Sequence, residues 1–243
     1  ADHTCRVWTQ DDDGEWRSSR PLERHTNSIR TISFSPDGRY FVTGSNDATC
    51  RVWTQDDGGQ WYSSATLEGY TDWVTAISFS PDGQYFVAGS NDKTCRVWTQ
   101  NDDGQWQSSS PLEGHNHCVQ AISHSPDGRC FVSGSWDRTC RVWTQDDEGQ
   151  WRSSRPLEGH TESIHAISFS PDGRYFVTGS NDATCRVWSQ GADGQWQSSR
   201  LLEGHTGYVL AVSFSPDGRY FVTGSRDKTC RVWAQDDDGQ WLS

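Results

Sequence analysis

Four sets of residues in this chain have the types needed for a hydroxyl–histidine–carboxylate relay. They are His25 with Thr43 and Asp47, His115 with Ser133 and Asp137, His160 with Thr178 and Asp182, and His205 with Thr223 and Asp227. In a hydrolase such a set turns the hydroxyl into a nucleophile. Here the sets recur at one spacing and no nucleophile stands out from its copies, so the reading is architecture rather than catalysis. A Trp follows each set, at Trp53, Trp143, Trp188 and Trp233, whereas the second copy keeps Asp92 and Trp98 but has Tyr70 and Ala88. Replacing both hydrogen-bonding partners together costs less than orphaning one. His124 and Cys130 are a second candidate, expected to face each other across a hairpin, but two ligands fall short of the three or four that zinc takes. The Asp-rich turns Asp11–Asp13, Asp56–Asp57, Asp102–Asp103, Asp146–Glu148, Asp193 and Asp236–Asp238 lack the spacing and closing Glu of a calcium loop. No catalytic residue, metal site or cofactor is assigned.

The elements that hold these residues follow from a strict repeat. Thr-Cys-Arg-Val-Trp recurs with Cys5, Cys50, Cys95, Cys140, Cys185 and Cys230, each 45 residues after the last. In one period the pattern predicts strands over residues 28–34, 40–44, 49–54 and roughly 60–67. Ser35-Pro36-Asp37-Gly38 joins the first two as a tight turn. No segment has helical periodicity. The third and fourth strands occur six times and the first two only five, because residues 1–18 match residues 226–243 at 13 of 18 positions. One terminal hairpin is therefore spare, expected as a half unit or packed against another chain.

With 21 basic against 33 acidic residues and a net charge of −12, the chain lacks the cationic surface that nucleic acid requires. No apolar run reaches the roughly 18 residues of a membrane span. Leu, Ile, Val and Phe make up less than the roughly 20% expected of a folded chain. Fourteen Trp and seven Tyr make good the shortfall, and stacked repeats bury their cores between neighbours.

Leu-Glu-Gly-His, an apolar strand, Phe-Ser-Pro-Asp-Gly, Gly-Ser-Asn-Asp and Cys-Arg-Val-Trp together resemble a WD40 repeat over the whole chain. The Trp is followed by Thr54, Thr99, Thr144, Ser189 or Ala234 where the family has Asp. The resemblance implies an all-β propeller of four-stranded antiparallel blades. The expected organisation is one domain, residues 1–243, with a half blade at 1–21 and repeats at 22–66, 67–111, 112–156, 157–201 and 202–243. It also implies that the His, hydroxyl, Asp and Trp of each set form a buried structural hydrogen-bond chain.

Comparing the internal copies separates two ends of each unit. Four columns vary: Asn27/Asp72/His117/Glu162/Gly207, Ser28/Trp73/Cys118/Ser163/Tyr208, Arg30/Thr75/Gln120/His165/Leu210 and Asn46/Asn91/Trp136/Asn181/Arg226. Hairpin pairing brings them to one end, the top, and leaves the acidic turns at the other. Drift alone would vary the equally exposed bottom turns, and it seldom introduces Trp73, Trp136 and Tyr208, residue types typical of interface anchors. The expected function is a non-catalytic scaffold that binds a protein or peptide at the top. The alternatives are a lectin-like module using one pocket per blade, or a self-assembling homo-oligomer joined through the spare hairpin. Six cysteines share one strand position too widely spaced for disulfides, and a chain of free thiols fits the reducing cytoplasm.

Overall fold

The computed structural model describes residues 2–236 and 239–243, so Asp237 and Asp238 of the last acidic segment lie outside the described residues. All of its elements are strands. No helix among the described residues is long and apolar enough to cross a membrane. A half blade comes first, with β1 (Thr4–Cys5), β2 (Trp8–Gln10), β3 (Trp16–Ser18) and β4 (Leu22–Glu23). Blade 1 is β5 (Ile29–Phe34), β6 (Tyr40–Ser45), β7 (Cys50–Gln55) and β8 (Trp61–Leu67). Blade 2 is β9 (Val74–Phe79), β10 (Tyr85–Ser90), β11 (Cys95–Gln100) and β12 (Trp106–Ser108). Blade 3 is β13 (Val119–His124), β14 (Cys130–Ser135), β15 (Cys140–Gln145) and β16 (Trp151–Ser153). Blade 4 is β17 (Ile164–Phe169), β18 (Tyr175–Ser180), β19 (Cys185–Gln190) and β20 (Trp196–Leu202). Blade 5 is β21 (Val209–Phe214), β22 (Tyr220–Ser225), β23 (Cys230–Gln235) and β24 (Trp241–Leu242).

Each blade is an antiparallel sheet with its strands in sequence order. Sequence chemistry sets its turns. The Ser35 hydroxyl donates to Asp37 at 2.6 Å and accepts from the Tyr40 amide at 3.0 Å, while Gly38 supplies the left-handed φ of 70°. Register departs from the expected uniform pairing at the same place in the first hairpin of every blade, and blades 1 and 4 shift again between their third and fourth strands, at Val52/Trp53 and Val187/Trp188. Val119 pairs with Ser135, but Ala121 pairs with Gly134, so Gln120 is an extra residue in a β-bulge. The shift sets His124 opposite Phe131 rather than opposite Cys130, which pairs with Thr144.

Both faces of a blade are buried between neighbours. The trailing face of blade 1, with Val42, Cys50 and Val52 each 0% exposed, packs on a leading face of blade 2 built from Val74, Ile77, Phe79, Phe86 and Trp98. A Cβ at Gly44 would stand 2.6 Å from Val74 Cγ1, so glycine is what lets the blades approach. Within a blade, Phe41 stacks on Trp53 with centroids 5.8 Å apart. The small aliphatic content is thus sufficient, because blades 1 to 4 each share a core with the next.

The arc of blades is not closed. Val222 and Val232 on the trailing face of blade 5 are 45% and 57% exposed, and Cys230 is exposed where its counterparts Cys50, Cys95, Cys140 and Cys185 are buried. At the other end the half blade covers only the outer part of blade 1, through Cys5 and Leu22 against Phe41 and Trp53. Ile32 and Phe34 remain 50% exposed each.

Candidate functional site

The four relay sets assemble in hydrogen-bonded order. In blade 3, His115 Nε2 lies 2.8 Å from Ser133 Oγ, His115 Nδ1 lies 2.8 Å from Asp137 Oδ2, and Trp143 Nε1 donates to Ser133 Oγ at 2.8 Å. The same contacts join His25, Asp47, Thr43 and Trp53; His160, Asp182, Thr178 and Trp188; and His205, Asp227, Thr223 and Trp233. The distances are those of a catalytic triad, but the Ser133 hydroxyl is 0% exposed and committed to an indole, so no substrate reaches it. In blade 2 the Tyr70 hydroxyl accepts directly from Trp98 Nε1 at 2.8 Å, and Ala88 fills the place of the hydroxyl residue.

Each Asp is also the clamp of the top turn. Asp47 Oδ2 accepts from the Thr26 amide at 2.9 Å, and its Oδ1 from the Thr49 amide at 3.1 Å and hydroxyl at 2.7 Å. Burial works to raise the Asp47 carboxyl, but bonds from Thr49, Thr26 and His25 outweigh it and hold the group below the usual carboxylate range. Asp137 and Asp182 are held further down by the same opposition, with the bond from His115 or His160 foremost. Burial pushes His25 down, against the pull of Asp47. The buried chain therefore fixes the backbone on which the variable side chains stand.

That backbone is the same in every blade. In the first column, the hydroxyls of Ser45, Ser90, Ser135, Ser180 and Ser225 donate to the carbonyls of Asn27, Asp72, His117, Glu162 and Gly207. The amides of Asn46, Asn91, Trp136, Asn181 and Arg226 donate to the carbonyls of Ser28, Trp73, Cys118, Ser163 and Tyr208, joining the second and fourth columns. The third column, Arg30, Thr75, Gln120, His165 and Leu210, is the bulged residue of each blade. A bulge re-aims its side chain. Arg30 bonds Asn46 at 2.7 Å and places its guanidinium 4.9 Å from the Trp73 ring of blade 2. The Thr75 hydroxyl donates to the Val119 carbonyl of blade 3, and His165 lies 6.0 Å from Trp136 across another blade boundary.

Three aromatic anchors stand on this edge, Trp73, Trp136 and Tyr208, each 40–42% exposed. Each has a polar brace: Arg30 on Trp73, His117 at 5.5 Å and His165 on Trp136, and Arg226 at 5.3 Å from Tyr208. Asp72 and Glu162 are exposed beside them, Cys118 is buried with its sulfur 3.2 Å from His117 Nδ1, and Asn91 and Asn181 are half-buried. Burial lowers the His165 pKa. A fifth variable column went unread in the sequence: Ala48, Lys93, Arg138, Ala183 and Lys228 sit in the clamped turn with φ of 63–76°. Lys93, Arg138 and Lys228 are exposed cations on the same edge, and their variation among copies was the signal that would have found them.

His124 is buried, with Nδ1 2.9 Å from Ser78 Oγ of blade 2 and Nε2 unbonded. Burial pushes its pKa down to about 4, against Asp82. Burial likewise pushes the thiols of Cys95 and Cys185 up to about 12, which leaves them unreactive at neutral pH. Among the described residues no three His, Cys, Asp or Glu side chains converge as a metal site would require.

Four-stranded antiparallel blades of 45 residues, each packed face to face on the next, define the β-propeller class of repeat. The WD40 family model, described as WD domain, G-beta repeat, matches residues 16–54, 61–99, 106–144, 151–189 and 196–234. The chain belongs to the WD40 repeat family, whose members serve in general as protein-interaction scaffolds, generally non-catalytic, and commonly bind proteins or peptides. No curated protein matches the chain.

Proposed function

We propose that the chain is a non-catalytic module that binds one asymmetric protein or peptide across the edge bearing Trp73, Trp136 and Tyr208. The observation that carries this reading is that three half-exposed aromatics, each braced by a cation or imidazole, stand on a backbone held by invariant serines and aspartates. Rigid anchors ringed by polar groups are what a peptide-binding surface uses. Because the side chains differ from blade to blade, they suit one extended partner better than a repeated small ligand. Peptides selected on the immobilised chain should lose about tenfold or more in affinity with Trp136→Ala or Trp73→Ala. Binding indifferent to both substitutions would refute the reading.

A second reading has its own support. Equivalent grooves of about 490 and 520 Å³ open on the outer rim, one lined by Thr144, Pro156, Gln195 and Trp196, the other by Thr54, Thr66, Gln105 and Trp106. A lectin-like module would use such a recurring groove, with the Trp as stacking surface. Glycan binding abolished by Trp106→Ala and Trp196→Ala, but not by Trp136→Ala, would favour it.

A further inference from the structure

Blade 3 differs from its neighbours in the side chain it sends across to the next blade. At the first residue of the second strand, blades 1, 2 and 4 carry Tyr40, Tyr85 and Tyr175. Each ring meets the fourth-strand Trp of the following blade, with centroids 6.3 Å apart for Tyr40 and Trp106, 5.7 Å for Tyr85 and Trp151, and 6.5 Å for Tyr175 and Trp241. The Tyr85 ring also lies 5.3 Å from His124, and its hydroxyl donates to the Gly128 carbonyl at 3.3 Å. Blade 3 has Cys130 at this position, so no tyrosine of its own reaches Trp196 of blade 4. A cavity of about 600 Å³ opens there, between the bottom turns of the two blades, lined by Ser125, Pro126, Cys130, Thr144, Gly173 and Trp196.

We propose that this cavity binds a tyrosine side chain of a partner protein, presented with basic residues beside it. The partner's phenol takes the place that Cys130 leaves empty. Every group that Tyr85 touches has a counterpart here: Trp196 stands for Trp151, Phe169 for His124 and Gly173 for Gly128. Phe169 and Trp196 already pack in one cluster with Cys130, their rings 5.8 Å apart and edge to face. An incoming ring would face both, and its hydroxyl would donate to the Gly173 carbonyl. A leucine would lack the ring contacts, and a phenylalanine would lack the donor.

The space is not refilled from within. His124, the other residue peculiar to blade 3, lies on the opposite face of the blade, against Ser78 and Tyr85 of blade 2. Charge selects the flanks of the partner's tyrosine. At the mouth, Asp127 and Asp172 are paired with Arg129 and Arg174, each at 3.7 Å. The surplus carboxylates stand in the turns that follow Thr144 and Gln190, both of which line the cavity. Asp147, Glu148 and Asp193 are exposed there, and among the described residues none of them forms an ion pair. A Lys or Arg beside the tyrosine would meet them. The site lies at the far end of the strands from the top edge and adds to it.

Titration of the full chain with the peptide acetyl-Lys-Tyr-Lys-amide, followed by ligand-observed NMR, tests this. The expected dissociation constant is roughly millimolar, the range open to one anchored side chain. Cys130→Tyr gives blade 3 the residue of its neighbours; it should weaken binding at least about tenfold and raise the melting temperature, because its own ring fills the cavity. Cys130→Ala keeps the cavity open and should bind at least as well as wild type. Trp196→Ala should also cost about tenfold or more; if a melting curve shows it unfolded, Cys130→Phe, which blocks the same space, replaces it. Changing the peptide's Tyr to Leu, or both Lys to Glu, should weaken it about threefold or more. No binding to wild type at about 10 mM peptide would overturn the proposal. So would binding that survives Cys130→Tyr, or a Cys130→Tyr chain that melts lower. Binding of 4-methylphenol as tight as that of the peptide would mark a site for a free phenol and overturn the protein partner.

Discussion

Blades 3 and 5 present the same face in two situations. Val132 and Val142 of blade 3 are 0% and 4% exposed, and Val222 and Val232, at the same positions of the repeat, are 45% and 57%. Gly134 has Ile164 Cγ2 2.7 Å from where its Cβ would be, and Gly224 has nothing closer than Ala211. Local sequence, strand register and turns are alike. The difference lies wholly in whether another blade follows. Burial in a repeat array is conferred by the neighbour, and the same residue is core or surface according to its place in the stack.

The largest way to break this comparison is charge. Val132→Asp puts an unpaired carboxylate in a closed contact and should destabilise the chain by about 4 kcal/mol or more, whereas Val222→Asp should change monomer stability by less than about 0.5 kcal/mol. Urea unfolding at high dilution reads both. Next in size is pH. With its folded pKa near 4 and an ordinary value of 6.5, His124 stays neutral in the fold while the unfolded chain takes up the proton. Stability therefore falls as pH drops from 6.5 to about 4, by up to about 3 kcal/mol. His124→Phe should flatten that slope, and Phe34→His on the uncovered face should not recreate it. Gly134→Ala should destabilise by about 1–3 kcal/mol through overpacking, against a few tenths for Gly224→Ala. Smallest for folding is the top edge: Trp136→Ala should alter the unfolding free energy read from urea melts by less than about 1 kcal/mol while reducing peptide binding, because its side chain is anchored by rings rather than by core.

Much of this was legible in the residues. Turn chemistry at Ser35–Gly38 and the alternation around it placed the strands of blade 1 to within about a residue of Ile29–Phe34, Tyr40–Ser45, Cys50–Gln55 and Trp61–Leu67. The convergence of the variable columns was also readable, because hairpin pairing is local and one closing turn sets it. The bulge at Arg30, Thr75, Gln120, His165 and Leu210 was not readable. An extra residue leaves no mark in a pattern of period two when the side chain there is free to be anything, and so His124 was placed one residue out of register. Nor did the sequence show that Tyr70 would reach Trp98 unaided, which depends on the depth of the space left by Ala88.

Sequence alone therefore determined the repeat, the blade, its turns, and the columns in which copies differ, since these rest on backbone preferences and contacts within 45 residues. Tertiary structure decided which copies of an identical face are covered, which aromatic meets which cation across a blade boundary, and that the arc ends with Val222 at one side and Phe34 at the other in solvent. Those outcomes depend on the position of a blade in the stack, and near-identical repeats carry no record of their order.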